Sequence, residues 1–239
     1  MNPVLLCLHG WGGDKASFTE LRDALKDADI EVLAPDLPGF GAEPEPSHAW
    51  TTDDYADWVE EWLKKRPAAE RLFVLGHSHG GRIAIKLAVR DSLPVEHLYL
   101  CAAAGIRHPR HFKRIAGLLL AKTGKFFLSI PGLKQLKPLG KKLLYKLVRV
   151  HDYEKASPVM RDTLIRVTQE DLRPLLHLVR TPADIFWGKD DGMTPVTDAH
   201  IMHKNIAGSR LHLFPGIRHR VHREKAADIA AVIRKDLAA

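Results

Sequence analysis

A run of apolar residues, Leu72-Phe73-Val74-Leu75, stops at Gly76-His77-Ser78-His79-Gly80 and passes at once into Gly81-Arg82-Ile83-Ala84-Ile85-Lys86-Leu87-Ala88-Val89. This junction restricts the fold more than any other feature of the chain. A strand must become a helix within a few residues, and small residues on both sides of Ser78 let so sharp a turn form without steric clash. The turn lifts the Ser78 hydroxyl clear of the strand's carboxyl end, where a substrate carbonyl can reach it. Gly-x-Ser-x-Gly alone also occurs in plain glycine-rich turns. The strand before it and the helix after it give it chemical meaning.

The rest of the chain alternates in the same sense. Strands are expected at 4–8, 31–34, 71–75, 96–101, 183–187 and 210–214, with helices at 17–28, 51–65, 79–90, 195–205 and 223–237. Ser17 and Glu20 have capping-box spacing at the first helix, and Thr51-Thr52-Asp53-Asp54 opens the second. Tyr55, Trp58, Val59, Trp62 and Leu63 recur at helical spacing and read as packing against a sheet rather than as a binding box. Such alternation predicts an α/β fold with a doubly wound, mostly or wholly parallel sheet of six strands. The expected core is 1–104 and 181–239, interrupted by a helical cap at 105–180. A chain of 239 residues, 45% hydrophobic and 27% charged, suits one soluble domain of that kind. No apolar run is long enough to span a membrane. Met1-Asn2-Pro3 leads directly into a core strand, so a cleaved leader is not expected. Cys7 and Cys101 fall in apolar strands and read as small core residues of a cytoplasmic protein.

A serine nucleophile needs a base, an acid that fixes the base's tautomer, and N–H donors for the developing oxyanion. The donors are expected from His79, the residue after the nucleophile, and from Trp11 in Leu8-His9-Gly10-Trp11-Gly12-Gly13, at the end of the first strand. The acid falls in Gly188-Lys189-Asp190-Asp191-Gly192-Met193-Thr194-Pro195, which offers Asp190 and Asp191. The base falls in Pro215-Gly216-Ile217-Arg218-His219-Arg220-Val221-His222, which offers His219 and His222. Each candidate lies just past a strand's carboxyl end, where open parallel sheets place their ligands. His200 and His203 repeat the three-residue spacing of His219 and His222, but no Cys or acidic partner is placed to complete a zinc site.

On these motifs the chain resembles the α/β-hydrolase superfamily over nearly its whole length. It resembles small bacterial carboxylesterases of the pimeloyl-carrier methyl ester esterase kind. The family pattern Gly-x-x-Asp-x-x-x-Pro, matched by Gly188 and Pro195, implies Asp191 as the acid, and Gly-x-Gly-His-x-x-x-x-Glu, matched through His219 and Glu224, implies His219 as the base. The chain departs from the pattern in two places. Arg218 replaces the glycine before the histidine, and Ala102, Ala103 and Ala104 stand where some relatives carry an alternative acid. The family usually begins with an antiparallel strand pair, whereas this chain starts at what would be the third strand.

The resemblance implies a serine hydrolase that cleaves carboxylic esters of short-to-medium acyl chains through an acyl-enzyme. It implies a Ser78-His219-Asp191 triad and no metal or organic cofactor. Thioesters, lactones and acyl-carrier-linked esters fit the same site, as does a lyase or C–C bond hydrolase.

The insertion carries its own signal. Between Gly105 and Val150 stand twelve Lys or Arg and no Asp or Glu, while the remainder has 24 basic against 29 acidic residues. The formal charge of +7 therefore belongs to this segment. Apolar residues such as Leu118, Leu119, Phe126, Phe127, Leu143 and Leu144 interleave the charges, as in amphipathic helices that roof a site. The basic face fits a solvated surface, an anionic partner such as an acyl carrier protein, or an anionic lipid surface. Nucleic acid is not expected, since no reading motif accompanies the charge.

Overall fold

The structure is a computed structural model that describes residues 3–108 and 156–238. Six strands, β1 (Val4–Leu8), β2 (Glu31–Leu33), β3 (Leu72–His77), β4 (Val95–Cys101), β5 (Ala183–Gly188) and β6 (Arg210–Phe214), form one sheet in the order β2-β1-β3-β4-β5-β6. Every pairing is parallel. The central strands β1, β3 and β5 are buried along their whole length, as apolar strands covered on both faces must be.

The helices are α1 (Thr19–Ala24), α2 (Thr52–Lys64), α3 (His79–Arg90), α4 (Pro158–Gln169), α5 (Val196–Asn205), α6 (Val221–Glu224) and α7 (Ala226–Leu237). Helices α1, α6 and α7 pack together, while α2 packs on α3, and α3 and α5 both meet a 3₁₀ turn at Arg173–Leu178. Two elements differ from the expectation. The first helix is preceded by a 3₁₀ turn, Lys15–Phe18, capped by the Asp14 side chain with Ser17 returning the bond. Asp14, three residues earlier than Ser17, wins the cap because its carboxylate reaches the Ala16 N–H at 2.9 Å. The last helix breaks at Lys225 (φ −123), which separates α6 from α7. Thr51 and Asp54 do form the capping box of α2.

The chain order reverses between β1 and β3, with β2 on one side and β3 to β6 on the other. Loops leaving the carboxyl ends of β1 and β3 diverge there and open a crevice, the usual ligand position in sheets of this topology. Ser78 follows β3 and Trp11 follows β1, so the switch point collects both. Residues 156–180 supply α4 and the 3₁₀ turn, and bury Met160, Val167, Leu172, Leu176 and Val179 against the rest. The amphipathic helices expected over the basic segment fall at 109–155, outside the described residues. No helix among the described residues is long and apolar enough to cross a membrane.

Candidate active site

Ser78 takes φ 51 and ψ −111, a conformation that L side chains rarely adopt. The surroundings hold it there. Its N–H donates to the Cys101 carbonyl at 3.1 Å, and its own carbonyl accepts from Gly81 and Ala104 at 3.0 and 2.9 Å. The glycines follow from packing: a Cβ at Gly76 would meet the Gly80 carbonyl oxygen at 2.5 Å, and one at Gly80 would run into the Leu8 main chain. The serine is half-buried, so a ligand can reach it. His79 is the first residue of α3, and its N–H therefore has no acceptor within the helix.

The acid and base candidates meet each other. His219 Nδ1 donates to Asp191 Oδ2 at 2.8 Å. Asp191 Oδ1 accepts from the main-chain N–H groups of Met193 (2.7 Å) and Thr194 (3.1 Å). The Thr194 hydroxyl donates to Asp191 Oδ2 at 2.7 Å and lies 3.3 Å from both the Ala102 carbonyl and His219 Nδ1. Burial pushes the Asp191 carboxyl up, but the bond from His219, with those of Met193 and Thr194, outweighs it and holds the group below its ordinary value. The carboxylate is therefore ionised and fixes His219 with its Nε2 free of this partner, the orientation a general base needs. Asp190 is exposed, and its N–H binds the Ile217 carbonyl at 3.0 Å. Among the described residues no hydrogen bond joins Ser78 Oγ to His219. Such contacts commonly tighten only when substrate is bound.

Arg218 is accommodated without strain. The positive φ of this turn sits at Gly216 (φ 76), so position 218 needs no glycine, and Arg218 points its charge into solvent as an exposed residue. His222 is buried, stacks on His77 at 3.7 Å and meets the edge of Phe18 at 5.5 Å. Burial and the charge of Arg223 push its pKa down to about 3, so it is a neutral packing group. His200 and His203 lie on α5, both exposed, and His203 bonds Ser209 at 3.0 Å.

Trp11 packs edge-on against Phe40 (4.9 Å) and His79 (5.4 Å), and His79 meets the buried Tyr55 at 4.8 Å. Tyr55, read from its spacing as a packing residue, is fully buried against His79; its hydroxyl donates to the Pro38 carbonyl at 3.1 Å. A cavity of about 250 Å³ opens beside Trp11, lined by Gly12, Gly39, Phe40, Glu45, Ala156 and Met160. His9 anchors the loop that bears Trp11. Its Nδ1 donates to the Gly10 carbonyl at 2.8 Å and its Nε2 accepts from Leu37 N–H at 2.9 Å, a pattern only the neutral ring can make. Burial accordingly lowers its pKa. Thr194 and His77 were not singled out from the sequence as site residues, since a hydroxyl two residues past a glycine and one more histidine carry no distinguishing pattern.

A second polar cluster lies at the opposite ends of the strands. His97 Nε2 is 2.8 Å from Asp184 Oδ2 and 3.6 Å from Asp236 Oδ2. These three could in spacing hold a cation, but the Arg210 guanidinium already spans both carboxylates. The cluster is filled by that ion pair. Cys7 and Cys101 are free and fully buried, and burial pushes both thiols up, so neither is a nucleophile.

A family profile described as alpha/beta hydrolase fold matches residues 3–226. The chain is 29% identical over 209 residues to the pimeloyl-acyl-carrier-protein methyl ester esterase of Shewanella sp. (strain MR-7), covering 81% of this chain and 75% of that one. It is 24% identical over 226 residues to Lipase 1 of Psychrobacter immobilis, covering 90% and 70%. Among solved structures, an esterase from Exiguobacterium antarcticum superposes with a TM-score of 0.73 at 23% identity, over 100% of this chain and 92% of that one.

Proposed function

Because the chain belongs to the alpha/beta hydrolase fold family, we infer that it is a serine hydrolase of carboxylic esters with short-to-medium acyl chains. The observation that carries this reading is the presence of a positive-φ serine at the topological switch point together with an Asp191–His219 couple on the loops after β5 and β6. The lipase and esterase relatives support the reaction class.

In this reading His219 takes the Ser78 proton as the oxygen attacks the ester carbonyl. The N–H groups of Trp11 and His79 receive the oxyanion, and Asp191 stabilises the imidazolium. His219 then protonates the departing alkoxide. A water molecule, deprotonated by the same ring, attacks the acyl-enzyme and releases the acid. One observation favours an acyl-carrier-linked ester as the physiological substrate. A relative of 29% identity is named for that substrate, and this chain's segment 105–150 carries twelve basic residues and no acidic one.

The test is hydrolysis of p-nitrophenyl esters from acetate to laurate, with Ser78→Ala beside the parent and a fluorophosphonate probe for the serine. Turnover that peaks at short or medium chains and vanishes with Ser78→Ala is expected. A folded parent that neither hydrolyses any ester nor takes the probe would sink the proposal.

A further inference from the structure

His77, the residue before the nucleophile, is buried and touches three parts of the site at once. Its Nε2 stands 3.0 Å from the main-chain carbonyl oxygen of His219. A carbonyl can only accept, so Nε2 carries the proton and donates it, which fixes the tautomer as Nε2–H. One face of the ring lies on His222 at 3.7 Å, and His222 is wedged in turn against Phe18. The ring also crowds Gly10 in the loop that bears Trp11, where a Cβ would meet His77 Nδ1 at 2.9 Å and Ser78 Cβ at 3.2 Å. Burial, reinforced by the neighbouring rings of His222 and His219, pushes the His77 pKa well down, in keeping with a neutral ring.

The segment that carries His219 needs such a tie. Between β6 and α6, Pro215, Gly216, Arg218 and Arg220 are all exposed. Apart from the His77 bond, its main chain is fastened by Lys189 N–H to the Phe214 carbonyl and Asp190 N–H to the Ile217 carbonyl, and at the start of α6 by Arg223 and Glu224 N–H to the Arg220 carbonyl. Asp191 orients the imidazole at its Nδ1 but makes no bond to the main chain beneath it. A bond from the residue next to Ser78 ties that main chain to the nucleophile's side.

We propose that His77 is a positioning residue of the ester-cleaving site, whose Nε2–H holds the main chain of His219 at its working distance from Ser78. The proposal rests on Ser78 and His219 acting as nucleophile and base. It assigns to the residue before the nucleophile a task independent of the turn itself, namely coupling the elbow to the base loop through a single donated hydrogen bond.

Two variants separate the donor from the ring. His77→Phe keeps the ring and its stacking on His222 but cannot donate, and His77→Gln carries an amide N–H to about the position of Nε2. With p-nitrophenyl butyrate, His77→Phe should lower kcat by about 10- to 100-fold and leave KM within about threefold, because a displaced base slows chemistry rather than binding. Reaction with the fluorophosphonate probe should slow in parallel. His77→Gln should recover kcat to within about fivefold of the parent. Parental kcat in His77→Phe, or a His77→Gln as slow as His77→Phe, overturns the proposal. A readout that requires no folded variant is the ¹⁵N spectrum of the parent's imidazoles, in which His77 should be the neutral Nε2–H tautomer; an Nδ1–H tautomer likewise overturns it. A parent that neither hydrolyses esters nor takes the probe is a different result, since that defeats the serine hydrolase reading itself.

Discussion

Gly188→Ala is the substitution whose effect follows most directly from the geometry. Gly188 closes β5, and a Cβ built there would stand well inside 3.0 Å of two main-chain oxygens, those of Ile217 and Arg218. Neither oxygen belongs to a side chain that could turn away, so the 217–218 peptides must retreat by roughly 1 Å to reach ordinary contact. The next residue is His219, whose Nδ1 sits 2.8 Å from Asp191. A misplacement of about 1 Å at a catalytic group costs on the order of 10²-fold in rate. Gly188→Ala should therefore lower kcat by about 100-fold, or about 2.7 kcal/mol of barrier. KM should barely move, because the cavity beside Trp11 is not touched. Overpacking of this kind destabilises by about 1–3 kcal/mol. For a chain of this size that lowers Tm by roughly 2–12 °C, so the variant stays folded at 25 °C. Steady-state kinetics on p-nitrophenyl butyrate and a thermal melt measure both quantities. A folded Gly188→Ala with kcat within about threefold of the parent would refute the claim that the base is held in register by this main-chain contact.

Three further outcomes are expected. Asp191→Asn should reduce kcat by about 10⁴-fold at nearly constant KM, through loss of the carboxylate that sets the His219 tautomer; a loss below about tenfold would move the acid elsewhere. Asp184 is buried, which raises its pKa, but the bonds from His97, Arg210 and His212 more than offset this and hold it below the ordinary carboxylate value. Its contribution is therefore present above the ordinary carboxylate pKa and lost as pH falls below it. Asp184→Asn should cost about 1–3 kcal/mol at pH 7 and flatten Tm against pH between 5 and 2, and a profile parallel to the parent's would refute the assignment. Burial and the charge of Arg82 push the His79 ring to about 3, well below its ordinary 6.5. The unfolded chain then binds the extra proton between those values, so stability rises with pH through that window and at pH 5 this group alone costs about 2 kcal/mol. His79→Leu should lower the slope of Tm against pH between 6.5 and 4, and an unchanged slope would show that His79 is not buried neutral.

The sheet and the elbow were legible because each is written in consecutive residues. Apolar runs such as Leu72 to Leu75 and Ala183 to Trp187 are strands by their own composition, and the glycines around Ser78 report a turn too tight for side chains. The start of the first helix was read three residues late, because Ser17 at Ncap and Asp14 at Ncap give nearly the same local pattern. Only the reach of the Asp14 carboxylate to Ala16 N–H decides between them. His77 was illegible as a site residue for a different reason. It acts by a bond to the His219 carbonyl, 142 positions away, and His9, although its loop was read as part of the site, anchors that loop by a bond to Leu37, 28 positions away. No local window contains such partners unless topology has already brought the strands' carboxyl ends together. Thr194 lies within the acid loop, three residues from Asp191, and was missed because a hydroxyl there carries no pattern of its own.

The tolerance of Arg218 and the intolerance expected at Gly188 are two sides of one arrangement. The base loop makes its turn at Gly216, so position 218 is free to carry any side chain that points outward. Its inner surface is made of carbonyls: Ile217 accepts from Asp190, His219 accepts from His77, and Arg218 faces Gly188. The loop is thus recognised by its main chain, from β5 on one side and from the elbow on the other. A site held in this way depends on main-chain geometry rather than on the loop's outward side chains. It also follows that the groups most able to disturb it are small residues and buried donors on the neighbouring strands, Gly188 and His77, rather than the exposed arginines on the loop itself.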